Sequence, residues 1–170
     1  MPQDGVMPTT NREEILKGAE EAFFLALLDG YAGGENRKST KVKTNNGHTT
    51  TVTFVHGDFV VKDEWHTHPG SQKSGGSTLI THKDFPVWLM SYQGEYQGEA
   101  IPFLKAALRS SYEKKEFNGG RGPMKVPFGN IIDYSNNWGG NFEKFEGREE
   151  VLSYITKLLG FHEFFGMALI

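Results

Sequence analysis

The sequence has no cysteine among its 170 residues. That excludes disulfides, thiolate metal sites and a cysteine nucleophile, and it is compatible with a reducing cytoplasm. Long apolar runs are also missing. The longest, residues 22–28, is far too short to cross a bilayer. The opening residues, MPQDGVMPTTNREE, lack the apolar segment of a signal peptide. Neither sign of charge dominates: 18 Lys and Arg stand against 21 Asp and Glu, for a net charge of −3. Nothing therefore points to a nucleic-acid or acidic-membrane partner. There is no Gly-x-Ser-x-Gly elbow for a serine nucleophile. The expectation is a soluble, cytoplasmic protein.

What is present is phenylalanine, 13 residues, and glycine, 21 residues, a combination that fits strands joined by tight turns. The length predicts one domain. Residues 1–9 read as a flexible tail and residues 10–170 as a single α+β domain, a mainly antiparallel twisted sheet packed by about three helices. The first helix opens on the capping box Thr10-Asn11-Arg12-Glu13, carries Ile15, Ala19, Ala22, Phe23, Ala26 and Leu27 on one face, and stops at Gly30. The second has Pro102 in its first turn and Phe103, Leu104, Ala107, Leu108 and Tyr112 as its buried stripe. The third opens at Gly147 with Glu149 and Glu150 in its first turn. Val151, Leu152, Ile155, Leu158 and Leu159 form its apolar side, and Gly160 ends it.

Strands are read at residues 49–55, at 59–66 after a turn at 56–58, at 77–81 and at 85–92. Period-two alternation puts Phe59, Val61, Asp63 and Trp65 on one face, and Trp88, Met90 and Tyr92 on one face. Shorter strands follow around Gly129 and at residues 142–145, with Asn136 to Asn141 as a turn, and an apolar strand closes the sequence at 161–170. Residues 31–50 carry Arg37, Lys38, Lys41 and Lys43 against the single acid Glu35. They read either as an anion-attracting loop or as a solvated connection.

Three groups of residues could carry chemistry. His66-Thr67-His68-Pro69 followed by Thr81-His82-Lys83-Asp84 resembles the His-x-His-Pro … Ser-x-x-Asp zinc motif of JAMM metallopeptidases. Histidines at i and i+2 share a strand face, and two imidazoles with a carboxylate leave an open zinc position. The spacer is longer than in that family, Thr81 replaces serine, and no upstream glutamate stands out as a base. Gly119-Gly120-Arg121-Gly122-Pro123 could converge backbone N–H groups and a guanidinium on an anion; the plainer reading is a tight turn with a structural arginine. The aromatic set Trp65, Trp88, Tyr92, Tyr134 and Trp138 could line a sheet face that binds a planar ligand, with Asp63 and Arg121 as polar anchors; the plainer reading is core packing.

A wider pattern runs through the chain. Gly30-Tyr31-Ala32-Gly33, Gly57-Asp58, Pro86-Val87-Trp88-Leu89-Met90-Ser91-Tyr92-Gln93-Gly94 and Phe103-Leu104-Lys105-Ala106-Ala107-Leu108 occur in that order. Arg121-Gly122-Pro123, Tyr134-Ser135-Asn136, Gly140-Asn141-Phe142 and Phe145-Glu146-Gly147 follow. The order resembles an uncharacterised bacterial domain-of-unknown-function family, found alone and as the C-terminal module of small helix-turn-helix transcriptional regulators. The resemblance implies a compact α+β domain with no established activity and, by association, a sensory or binding role; no cofactor is expected, with zinc as the alternative. This sequence has no helix-turn-helix module, so no nucleic-acid partner is expected of it by itself.

The leading reading is a non-enzymatic module that binds a small anionic or aromatic ligand through Asp63, Trp88, Tyr92, Arg121 and Tyr134. Under it, Arg121→Ala abolishes binding at unchanged stability; if the loop is structural, stability falls instead. The alternatives are a zinc-dependent hydrolase using His66, His68 and Asp84, and a protein–protein adaptor.

Overall fold

The computed structural model describes residues 9–32, 37–155 and 157–170. Among them are two helices, α1 (Thr9–Ala32) and α2 (Ile101–Lys114). Nine strands follow the order β1 (Thr40–Thr44), β2 (Thr49–His56), β3 (Phe59–Thr67), β4 (Lys73–His82), β5 (Phe85–Tyr96), β6 (Lys125–Phe128), β7 (Ile132–Asn141), β8 (Lys144–Ser153) and β9 (Lys157–Ala168). All nine lie in one antiparallel sheet ordered β1-β2-β3-β4-β5-β9-β8-β7-β6. Two meanders, β1–β5 and β6–β9, therefore meet at a single seam between β5 and β9. Both helices pack on one face of this sheet, called here the inner face.

The expected α+β domain with about three helices is not what forms. The fold is mostly β, and residues 147–160, read as a third helix, belong instead to the β8–β9 hairpin. The physical reason is one buried acid. In β8, Phe145, Glu149, Val151 and Ser153 are buried, a period-two pattern. A glutamate at an inward position looks like a break in that pattern, while Glu, Leu and Lys all favour helix.

Other boundaries shift for similar reasons. Helix α1 runs past Gly30 to Ala32. Strand β7 continues through Asn136 to Asn141, where the sequence suggested a turn. Part of the basic connection is strand β1. Residues 1–8 of the expected tail and the Thr10 side chain of the expected cap lie outside the described residues.

At one end of the inner face the core is solid and aromatic. Trp88 is fully buried, donates its indole N–H to the Phe142 carbonyl at 2.7 Å, and stacks on Phe142 and Phe145. Phe23 of α1 meets the Trp88 ring edge-on at 5.3 Å, and Phe117 meets Phe142 and Phe145 in the same manner. Such edge and stacked pairs add about 0.5–1.5 kcal/mol each beyond burial.

Candidate ligand-binding site

The other half of the inner face is polar, and its layout follows from strand register. Thr67 pairs with Ser74, Ser74 with Gly94, Gly94 with His162, His162 with Glu149, and Glu149 with Asn136. One transverse row thus crosses six strands. Gly94 has no side chain to stand between its neighbours, and a Cβ there would lie 2.9 Å from the His162 ring. The imidazole occupies that space and brings Nε2 to 3.2 Å from Ser74 Oγ. In the next row Gly76 separates Trp65 from Tyr92. Tyr92 passes over this glycine and donates its hydroxyl to Asp63 Oδ1 at 2.9 Å, where Thr78 Oγ1 also donates. Two glycines let long side chains reach across a whole strand.

Arg121 enters this layer from the loop between α2 and β6. Gly119 and Gly120 both have positive φ, at 66° and 73°, and pack against Phe164 and Phe23, so the turn needs residues without a Cβ. Tyr112 donates to the Gly120 carbonyl, and Asn136 Nδ2 donates to the carbonyls of Asn118 and Gly122. Pinned in this way, the loop pushes Arg121 inward to 5% exposure.

The guanidinium donates through Nε and Nη2 to Oε1 of the fully buried Glu149. Tyr134 donates to Oε2 at 2.7 Å and accepts the Gly122 N–H. His162 Nδ1 lies 3.3 Å from Arg121 Nη2 and 3.5 Å from Glu149 Oε1.

Four titratable groups respond to this burial. For Glu149 burial works against ionisation, but the charge of Arg121 and hydrogen bonds from His162 and Arg121 outweigh it and bring the carboxyl down to about 2. Burial moves Asp63 the other way, upward from 3.8, with the hydrogen bonds of Thr78 and Tyr92 and the charge of Arg121 opposing. Burial lowers the His162 pKa, which favours the neutral ring. Burial and the adjacent Glu149 charge raise Tyr134 well above 10, so it acts as a neutral donor.

Above this layer is a cavity of about 410 Å³ between the inner face, the last turns of α1 and the first turns of α2. Val52, Phe54, Val61, Trp65, Ile101 and Leu104 give it apolar walls. Asp63, Ser74, Tyr92, Arg121 and His162 meet it from the sheet, and Arg37, Lys41 and Lys105 also line it. Asp63 Oδ1 takes both hydrogen bonds described for this carboxylate, and Oδ2 takes none.

Of the residues singled out in the sequence, Asp63, Tyr92 and Arg121 come together around this cavity. Tyr134 does not line it; it sits behind Arg121 and holds Glu149. Trp88 belongs to the solid core. The zinc set is dispersed. His66 is exposed at the end of β3 and hydrogen-bonded to Thr49, and His68 accepts the Gly70 N–H within a turn. His66 pairs with Gly75 at the start of β4, and Asp84 lies beyond His82 at its end. Seven residues of strand between those levels span roughly 23 Å. No group of three metal-ligating side chains occurs among the described residues. On the opposite face of the sheet Phe165 and Met167 are exposed, where an adaptor contact would form.

Glu149 and His162 carry the polar layer, and sequence reasoning missed both. The available signal was alternation: each occupies an inward position in a period-two series, with Phe145 and Val151 for one and Gly160 and Phe164 for the other.

A mostly β domain with a lined cavity between one sheet and two helices is the class this geometry defines. The chain belongs to the DUF5680 family, a domain of unknown function, matched over residues 66–163. That segment contains Tyr92, Arg121, Glu149 and His162 and leaves Asp63 and Trp65 outside. No curated protein and no solved structure matches the chain. No helix among the described residues is long and apolar enough to cross a membrane.

Proposed function

We propose that the domain is a non-enzymatic, small-ligand-binding module with a sensory role. The observation that carries this reading is Asp63, a carboxylate with one oxygen free of described hydrogen bonds, facing a largely apolar cavity of about 410 Å³. Cavities of roughly 300–1,000 Å³ with apolar walls and few convergent polar groups are typical of small-molecule sites. A half-buried acid in such a place favours a ligand that donates a hydrogen bond, because the donor replaces water that is displaced on binding. The other polar groups of the sheet floor, Ser74, Tyr92, Arg121 and His162, are tied to one another, to Asp63 or to Glu149, which holds the floor rigid and suits recognition.

The test uses a neutral apolar dye, N-phenyl-1-naphthylamine, whose emission rises when it leaves water. The native protein should bind it saturably. Val52→Trp places an indole into the cavity from β2 and should abolish that binding while the protein still melts cooperatively. No saturable signal from the native protein, or equal binding by a folded Val52→Trp variant, overturns the reading.

A further inference from the structure

We infer that the ligand is an amphipathic anion, seated with its apolar body in the cavity and its carboxylate, phosphate or sulfonate at the mouth beside Arg37, Lys41 and Lys105. This rests on the binding role proposed above and adds the chemistry and direction of what is bound. Lys41 of β1 pairs with Val52, and Val52 with Asp63, so all three share the inner face. The Lys41 ammonium lies 5.9 Å from the centroid of the Trp65 ring. Lys105 lines the same cavity from α2. Arg37 is held by a hydrogen bond from Nη2 to the Gly30 carbonyl, while its buried Nε has no partner among the described residues.

None of the three cations forms an ion pair with a carboxylate among the described residues. Asp29, the acid that feels the Arg37 charge, turns its oxygens to the backbone N–H groups of Lys38 and Ser39. Among the described residues, therefore, the mouth carries three cations that no ion pair neutralises. Burial, with the charges of Arg37, Lys43 and Lys105, already lowers the Lys41 pKa, and an anion would relieve that repulsion. Asp63 is the only carboxylate among the described lining residues. Lys41 and Asp63 stand two strands apart, about 10 Å. That span fits a body of two rings or a short chain between acid and donor, and exceeds an inorganic ion.

Two dyes of similar ring size separate the ideas: neutral N-phenyl-1-naphthylamine and anionic 8-anilinonaphthalene-1-sulfonate. The sulfonate should bind about tenfold more tightly at low salt, and the advantage should shrink as NaCl rises from about 50 to 500 mM. In the double variant Lys41→Gln/Lys105→Gln its affinity should fall about tenfold and that of the neutral dye less than twofold. Equal affinities in the native protein, or equal losses in the variant, overturn the anion while leaving the cavity standing. If neither dye binds, the binding role itself fails.

Discussion

The two halves of the inner face use aromatic residues in opposite ways. Around Trp88, Phe142, Phe145 and Phe117 the rings pack directly against one another. Around Trp65 and Tyr92 the rings are spaced by glycine and by charged groups, and a cavity remains. Aromatic content alone does not locate a site. A site forms where large side chains cannot close the face because buried polar groups must keep their partners.

That contrast can be broken from either side. The largest effect belongs to the solid half: Trp88→Ala removes a fully buried indole and should cost about 4 kcal/mol in urea unfolding, with dye binding retained by whatever fraction is folded. Next comes the polar layer. Glu149→Gln leaves Arg121 buried without its counter-charge and should cost about 3 kcal/mol near pH 7. Its pH profile gives a second reading. The Glu149 pKa is depressed on folding, so its contribution is present above 4.5 and is lost as pH falls toward about 2. The native protein should weaken through that window more steeply than the variant. Identical acid profiles would remove the charge pair as a source of stability.

The smallest effect is expected at the cavity itself. Asp63 has a raised pKa, so folding holds its proton more tightly and stability falls as pH rises above 3.8. Asp63→Asn keeps an acceptor for Thr78 and Tyr92 and should change stability by no more than about 1 kcal/mol. Relative to the native protein its stability should improve as pH rises from 3.8. A large loss at pH 7 would mean that the ionised carboxylate is structural.

Strands β2, β3 and β5 of the first meander were legible because they are rich in β-branched and aromatic residues. Asp63 and Tyr92 could be placed on strand faces by period-two alternation alone. Register could not: nothing local states that Tyr92 lies opposite Gly76 and so reaches Asp63. The Gly119-Gly120-Arg121 loop was recognised as unusual and read either as facing an external anion or as a tight turn with a structural arginine. Its actual anion is Glu149, 28 residues further on, in a strand that mimics a helix. A buried ion pair hides twice, since each partner looks like a surface residue in its own segment.

The seam between β5 and β9 has a consequence for how the chain reaches its native state. Every strand from β1 to β5 pairs with a sequence neighbour, and so does every strand from β6 to β9. Only β5 and β9 join segments far apart in the chain, with α2 and three strands made between them. On the ribosome the first meander can form early, but the long edge of β5 stays open until β9 emerges. Trp88, Met90 and Tyr92 lie on that waiting strand, so an unpaired edge next to large apolar side chains is exposed during the interval, the condition that favours aggregation.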